Sequence, residues 1–475
     1  MTPAPLLLPG QAAAPEGPAD MTMMYVLHHA FRRDLRDFDR AAATTATGDS
    51  ARWTLLAQRW QRFTHELHQH HTKEDEILWP LLLERVRAAS DTASERVLQE
   101  MAPYKGFDPM APIEWLFSTR TFPRQLTARS DFGQPPVTVF SDHRLVIDLY
   151  YWLDGTTEIH QHGFSGAFQV VKGGSIHGQY RWNERHRVNS RMAFGELSLE
   201  SLNELKEGDV QQILPGNRYI HSLFHLERPS VTCVVRTLHT PNAGVQYSYK
   251  KPFLAIDSTY EDVQTNRILQ SLTFLQDSPR AVRKRLLSEL IERSDIHTCY
   301  LLFKRLLEIY KEEAALEEFW EVAIRRHGSL AEQLIPVFQE RIRQSMLVSR
   351  RAQVKTEEHR YFLALLLNID DAESLLRLVR QRYPHEDPGE RVMRWVEELS
   401  KPTQGVGSGD TLGIPLNETA LIIFRELLHG RSEAGVMARL KEVYGADETE
   451  QEAASITEMV SALRASPVFR PLFAR

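Results

Sequence analysis

The feature that most constrains the fold of this chain is a change of hydrophobic periodicity near residue 135, which reverses near residue 253. Between these points lie short β-like runs that are separated by Gly, Pro, Asn and Asp turns: 144–152, 167–172, 175–182, 210–214 and 231–238. On both sides, apolar residues recur every three to four positions, which is the period of an amphipathic helix. We therefore predict a multidomain α+β protein in which an all-β unit of barrel or sandwich type is flanked by helices.

Changes of composition and period also predict the domain boundaries. Pro, Ala and Gly dominate the first residues without any periodicity, so this stretch cannot bury enough apolar surface to order itself. The predicted segments are, in order, a disordered tail (1–20), a helical segment (21–101), a connector (102–134), a β-barrel (135–255), an all-α scaffold (256–400), a flexible linker (401–410) and a small final domain (411–475).

Charge and cysteine content exclude several classes of protein. The net charge of −6 is mild, and no Lys/Arg cluster suggests a nucleic-acid partner. No apolar run approaches the ~20 residues that cross a bilayer, so we expect no membrane association. The two cysteines, Cys233 and Cys299, lie in different predicted segments and form no disulfide framework. We therefore expect a cytoplasmic protein, and a homo-oligomer remains an open alternative.

Histidines in the predicted β unit carry the clearest chemistry. His160 and His162 are two positions apart in the run Thr-Glu-Ile-His-Gln-His. Residues two apart on a strand point to the same face, so both imidazoles project to one side of a barrel. His221 follows a Pro-Gly turn that delivers it at the start of another strand. Three neutral imidazoles suit a divalent first-row metal and leave coordination positions for substrate and dioxygen.

This order of an HxH pair, a β run with glycine, and a Pro-Gly turn before a later His resembles the cupin superfamily. Ordinary cupins carry a Glu shortly after the HxH pair, but Gly166 and Ala167 occupy the corresponding places. The subfamily that the chain resembles here is the cysteine dioxygenase type of thiol dioxygenase, which uses three His. The resemblance implies that His160, His162 and His221 bind Fe(II), which activates dioxygen against the coordinated thiolate of a small thiol or peptide.

Further candidates surround this triad. Near the Tyr that the thiol dioxygenase family places beside its metal, this chain has His239, which we expect to act in acid–base chemistry. We expect Tyr151 or Arg236 to orient the substrate. Ala167 stands where many animal relatives carry the Cys of a Cys–Tyr cross-link, so that cross-link cannot form. We assign three more barrel histidines, His177, His186 and His225, to solvent-exposed or structural positions. Of these, His225 is the alternative to His221 as the third metal ligand.

A second histidine cluster lies on the N-terminal helices. His70 and Glu74 are four residues apart, so they share one helix face, and the preceding helix offers His28 and His29. The pattern resembles the hemerythrin-like HHE cation-binding family, which implies iron, or alternatively zinc, at this site. Only half of that family's four-helix bundle is visible here, so either the bundle is truncated or another chain completes it. The alternative is an exposed His/Glu face without metal.

The last segment resembles PqqD-like peptide-recognition domains. The resemblance rests on Leu416-Asn417-Glu418-Thr419-Ala420, a later Leu-x-Gly-Arg-Ser run and two helical stretches. It implies a small winged-helix-like domain whose β edge binds a peptide by strand addition. A plain helical cap is the alternative interpretation.

Two functions remain open on the sequence alone. The first is a three-His non-heme Fe(II) dioxygenase that the last domain brings to a peptide substrate. The second is a metal- or oxygen-sensing protein without turnover, in which the helical middle transmits the state of the metal sites. A barrel whose histidines bind metal only structurally, or bind none, is the alternative to both.

Overall fold

The computed structural model describes most of the chain, and the chain divides after residue 89 into two compact units. The described residues are 22–73, 94–120, 122–125, 133–142, 145–153, 158–238, 240, 244–257, 260, 262–310, 316–401 and 412–473. Four features of the sequence analysis lie wholly or mostly outside these ranges: the predicted tail, most of the predicted linker, Glu74 and His239.

The first unit contains a helical hairpin. Helix α1 spans Thr22–Thr44 and α2 spans Ser50–Lys73. Their apolar faces meet through aromatic rings, with the Phe63 ring centroid 5.8 Å from that of Phe31 and 5.5 Å from that of Phe38. In the connecting turn, Asp49 Oδ1 accepts a hydrogen bond from the backbone N–H of Arg52, which satisfies one of the free donors at the start of α2.

The second unit is built around β-strands that form a five-stranded sheet in the order β1-β2-β9-β4-β7 and a closed barrel in the order β10-β11-β6-β5-β8-β3. The strands are β1 Pro136–Ser141, β2 Leu145–Trp152, β3 Ile159–His162, β4 Gly166–Lys172, β5 Ser175–Asn189, β6 Met192–Leu205, β7 Val210–Ile213, β8 Gly216–His225, β9 Ser230–Thr237, β10 Tyr247–Lys250 and β11 Leu254–Asp257.

Alternation along β2 sends neighbouring side chains to opposite faces. Leu149 and Tyr151 pack in one apolar cluster with Cys233 of β9, which also contacts Leu98 of the helical stretch 94–101. Tyr150 belongs to a different cluster, which contains Phe168 and Tyr219. We call the first the outer face and the second the inner face.

Helices fill most of the remaining chain, as the periodicity predicts. Helix α3 spans Ala111–Ser118 within the predicted connector. After the barrel come α4 Val263–Ser271, a 3₁₀ turn Leu272–Leu275, α5 Arg280–Arg293, α6 Ile296–Tyr310, α7 Glu317–His327, α8 Ser329–Gln353, α9 Glu357–Asn368, α10 Ala372–Arg382 and α11 Pro388–Ser400.

Two apolar cores join these helices to the strands. One packs Phe303 and Phe338 with Phe194 and Leu254 of the barrel. Cys299 is fully buried in the same core. The other packs the long helical core around Trp395 against Phe224 of β8. The predicted fold class, a β-barrel flanked by helical regions, is confirmed.

The last segment departs from the β edge that the PqqD-like resemblance implies. Its described residues, 412–473, form helices and contain no strand: α12 Glu418–Leu428, α13 Glu433–Tyr444, α14 Ala446–Gln451, α15 Ala453–Ala465 and α16 Arg470–Phe473. Asn417 caps α12 by accepting a hydrogen bond from the backbone N–H of Ala420. The segment packs into the core around Trp395, because its apolar residues recur at the helical period and leave no alternating run for an edge strand.

None of the helices in the described ranges is both long and apolar enough to cross a bilayer.

Candidate metal centre

Three histidines meet inside the barrel. Strand β3 carries His160 and His162, and β8, its antiparallel neighbour, carries His221 directly opposite His160. All three are buried, and each offers a ring nitrogen within 4.8 Å of the others. The Nε2 atoms of His162 and His221 are 3.0 Å apart. No other set of three His, Cys, Asp or Glu side chains in the described part of the chain meets this geometry.

Local backbone features bring these side chains together. The β3–β8 register shifts between His160 and His162, so that His162 lies opposite Gly216. Gly216 has φ 68°, a left-handed conformation that glycine adopts without strain. The Pro-Gly turn that the sequence suggested therefore begins β8 beside β3, and His221 follows Gly216 by five residues, opposite His160.

The triad residues are neutral imidazoles. Burial lowers the pKa of His160, and it lowers the pKa values of His162 and His221 well below their usual range. The like charges of the neighbouring histidines act in the same direction on His162 and His221. Unprotonated ring nitrogens that converge in this way form a donor set that fits a divalent first-row metal.

Hydrogen bonds orient two of the rings. The Nδ1 of His160 lies 2.7 Å from the carbonyl oxygen of Glu158, which leaves Nε2 for a metal. The Glu158 carboxylate forms a short ion pair with Lys250 of β10. The Nδ1 of His221 lies 3.3 Å from Nε2 of His177, and the Tyr219 hydroxyl lies 3.1 Å from the same atom.

His177 and Tyr219 are therefore neighbours of the triad that the sequence did not reveal. His177 lies on β5, and the β5–β8 pairing places it opposite Leu223, two residues from His221. Burial lowers the pKa of His177 to about 4 and raises that of Tyr219. The sequence expectation that His177 has only a solvent or structural role is thus incomplete, because the register that brings it to His221 is a property of the closed barrel.

A buried ion pair lies on the same inner face. Arg236 of β9 contacts Asp148 of β2, with Nε and Nη2 each 3.0 Å from Oδ2. Thr138 donates to the other carboxylate oxygen at 2.7 Å. Burial raises the pKa of Tyr150 to about 12, so its hydroxyl stays protonated and donates to Asp148 at 3.2 Å.

The Arg236 guanidinium also faces the triad. Its central carbon lies 4.8 Å from the centroid of the Phe164 ring, and that ring lies 4.7 Å from the ring of His162. The positive charge of Arg236 contributes to the lowered pKa of His162. Of the two substrate-orienting candidates named from the sequence, Arg236 is the one that the structure separates from the triad by a single ring, that of Phe164.

The structure does not place Tyr151, the other substrate-orienting candidate, beside the triad. Its hydroxyl donates to the carbonyl of Pro109 at 2.9 Å, and its ring packs on the outer face with Leu149. Because strand residues alternate between faces, Tyr150 and not Tyr151 points inward.

The remaining barrel histidines are accounted for separately. His225 stacks on Trp152, with ring centroids 4.4 Å apart, and its Nδ1 lies 2.9 Å from the Ser175 hydroxyl. It is therefore not part of the triad, and His221 is. His186 is exposed on β5, as expected.

The hairpin of the first unit brings two of its predicted ligands together. The Nε2 atoms of His28 and His70 are 3.1 Å apart. His70 also lies beside Phe31, with ring centroids 5.4 Å apart. His29 is partly exposed on the same helix as His28.

Comparison with known proteins matches one segment of the chain to a family model. Residues 20–102 match the family model of the hemerythrin HHE cation binding domain. No curated protein matches the chain significantly.

Three solved structures are among those similar to this chain. A cupin superfamily protein from Desulfitobacterium hafniense DCB-2 is 12% identical, with 25% of this chain and 95% of that chain covered and a TM-score of 0.16. A double-stranded β-helix protein from Klebsiella pneumoniae is 15% identical, with coverages of 30% and 100% and a TM-score of 0.16. A DMSP lyase from Ruegeria pomeroyi DSS-3 is 17% identical, with a TM-score of 0.15 and 21% of this chain covered.

The match spans 41% of the length of that lyase. Residues 20–102 are thus similar to the hemerythrin HHE cation binding domain, and the solved structures similar to this chain include a cupin superfamily protein.

Proposed function

We propose that this chain is a non-heme Fe(II) dioxygenase of the thiol dioxygenase type. The observation that supports the proposal is the donor set, three buried neutral imidazoles whose ligand atoms lie within 4.8 Å of one another. Without a carboxylate among these ligands, the charge of a divalent cation stays uncompensated. Such a centre favours an anionic substrate donor, and a thiolate is one.

Gly166 explains in physical terms why a carboxylate ligand is absent from this position. A Cβ atom at Gly166 would lie 2.4 Å from the carbonyl oxygen of Val235 and 2.9 Å from the Cα of Arg236. No side chain fits there without moving the β4–β9 pair. The neighbouring Ala167 points to the outer face, away from the triad.

The proposed reaction converts a thiol, RSH, and O₂ into a sulfinic acid, RSO₂H. Both oxygen atoms become bonded to sulfur, which is oxidised by four electrons while O₂ is reduced by four, so no further reductant is required. When bound, Fe(II) supplies the template and the electron relay for this exchange. The protein's part is to hold the substrate, exclude water and place protons.

Several residues carry that part in the proposal. Arg236 orients an anionic or polar group of the substrate, and Asp148 holds the guanidinium in place. Phe164, between Arg236 and His162, provides an apolar wall. His239 is the proposed acid–base group. The substrate is a small thiol or a thiol-bearing peptide.

Oxygen uptake by the iron-loaded full chain tests the proposal. Small amino-acid thiols and cysteine-containing peptides are supplied one at a time, and the sulfinate product is identified by a mass increase of two oxygen atoms. We expect thiol-dependent uptake that His160→Ala/His162→Ala abolishes and that the exposed His186→Ala leaves unchanged. Uptake that survives in the double variant, or no sulfinate with any thiol, overturns the proposal.

Arg236→Gln provides a finer test of substrate orientation. Loss of the charge should raise KM for thiols that carry a carboxylate more than for thiols that carry none, because only the former gain from the guanidinium. An equal change for both classes would contradict the assigned role.

A second candidate function is a metal- or oxygen-sensing protein without turnover. The hemerythrin HHE match at residues 20–102 and the contact between His28 and His70 favour it. A sensor changes its absorption spectrum or thermal stability on exposure to oxygen without consuming oxygen catalytically. The uptake experiment therefore separates the two functions.

A further inference from the structure

We propose that His177, supported by Tyr219, is a positioning residue that holds the metal ligand His221 in the tautomer and orientation required for metal binding. The inference rests on the proposed metal site but not on the identity of the reaction. It concerns a pair of buried side chains that supply no ligand themselves.

The first step is the division of roles between the two nitrogens of His221. Its Nε2 faces Nε2 of His162 at 3.0 Å, in the space where the ligand atoms converge. A neutral imidazole that binds a metal through Nε2 carries its hydrogen on Nδ1. The Nδ1–H of His221 therefore needs an acceptor, and Nε2 of His177 lies 3.3 Å away.

The second step is the tautomer of His177. Its side chain is 1% exposed, and Nε2 is the ring nitrogen that faces Nδ1 of His221. A neutral ring that accepts at Nε2 carries its own hydrogen on Nδ1. Tyr219 lies on the same strand face as His221, and its hydroxyl oxygen is 3.1 Å from Nε2 of His177. In the proposed arrangement the Tyr219 hydroxyl and the Nδ1–H of His221 both donate to this nitrogen, which then carries no hydrogen of its own.

The third step is the rigidity of the arrangement. His177 lies on β5 and both Tyr219 and His221 lie on β8, and these strands pair over Ser175–Tyr180. The ring of Phe168 packs against both imidazoles, with its centroid 5.8 Å from that of His221 and 6.2 Å from that of His177. The ring of His221 is thus held on two sides before any metal arrives, which lowers the entropy that metal binding must remove.

The test measures metal affinity in the full chain and needs no turnover. Co(II) is titrated anaerobically in competition with a chelating dye, and the visible Co(II) absorption bands report the ligand geometry. The Co(II) that the wild type binds and the His160→Ala/His162→Ala variant does not bind is assigned to the barrel site. This difference separates it from Co(II) bound by residues 20–102.

Two variants of His177 and one control variant of His225 give the decisive comparison. His177→Leu removes the acceptor and should weaken Co(II) binding at the barrel site by about 10- to 100-fold, the usual effect of losing a partner that orients a ligand. His177→Gln presents an acceptor at nearly the same place and should restore most of the affinity and the wild-type spectrum. His225→Leu is the matched control, since His225 is equally buried on β8 but bonds Ser175.

Each outcome decides the assignment. Equal losses in His177→Leu and His225→Leu, or no rescue by His177→Gln, would show that His177 matters only for packing and would overturn the proposal. Should His177→Leu fail to fold, Tyr219→Phe decides, because it removes only the hydroxyl that supports His177. Weaker binding at an unchanged apo Tm then supports the proposal, and wild-type affinity overturns it. Absence of thiol-dependent oxygen uptake would count against the proposed reaction but leave this result intact.

Discussion

His225 carries a prediction at the scale of a single residue, about the response of stability to pH. Burial lowers its pKa from 6.5 to about 3. The folded chain keeps the ring neutral while the unfolded chain protonates it below pH 6.5, so its contribution to stability is complete above that pH and is lost as the pH falls toward 3. At pH 5 this loss amounts to about 2 kcal/mol.

His225→Phe should remove this dependence while keeping the stack on Trp152. We expect the variant to lose less stability than the wild type between pH 7 and pH 5 in urea unfolding followed by tryptophan fluorescence. The lost Ser175 hydrogen bond costs the same at both pH values and cancels in the comparison. Parallel pH profiles for the two proteins would refute the prediction.

The Asp148–Arg236 pair carries a second prediction at this scale. The side chains are only 4% and 12% exposed, so removing one partner leaves the other charge buried and uncompensated. Asp148→Asn should lower the free energy of unfolding by about 3–5 kcal/mol. Asp148→Asn/Arg236→Met should recover part of the loss, since it removes both charges. Denaturant unfolding measures both, and a double variant whose loss equals the sum of the single losses would rule out the coupling.

At the scale of elements, the close approach of β4 to β9 yields a prediction about two glycines. Gly166→Ala drives a Cβ to within 2.4 Å of the Val235 carbonyl, and such overpacking costs about 1–3 kcal/mol. Gly163→Ala, three residues earlier, meets only the Gln246 side chain at 3.8 Å and should be tolerated. Thermal unfolding compares the two, and equal Tm values would contradict the expected clash.

Strands were predictable from the sequence where a strand buries at least one apolar face. The predicted run 144–152 matches β2, and 210–214 matches β7 within one residue at the end. The predicted run 175–182 is too short, because β5 continues to Asn189 through exposed polar residues. That extension depends on its pairing with β6, which period-2 alternation of apolar residues cannot reveal.

The same reasoning explains what could be predicted of the site. The HxH spacing is local, so the shared face of His160 and His162 follows from the period of a strand. The sequence could not decide between Tyr150 and Tyr151 in the same way, because one residue of register reverses the direction of a side chain. His177 could not be connected to His221 from the sequence, because their contact depends on which strands pair when the barrel closes.

For the whole molecule, the two compact units predict two separable metal-binding activities. The His160/His162/His221 triad belongs to one unit and the His28–His70 contact belongs to the other. His28→Ala/His70→Ala should lower the metal content of the purified chain without altering the Co(II) bands of the barrel site. His160→Ala/His162→Ala should remove those bands and spare the rest. Elemental analysis with spectroscopy checks this, and loss of all metal in either double variant would contradict independence.

The positions of the two cysteines determine whether the proposed reaction could oxidise the protein's own thiols. Cys233 packs on the outer face of β9 and Cys299 lies in the helical core, and burial raises the pKa of each thiol to about 12. The thiolate is the form that oxidants attack. The centre for which we propose sulfur oxidation thus lies in a protein whose own thiols are buried and stay protonated. Intact mass spectrometry over many turnovers should show no oxygen added at either cysteine.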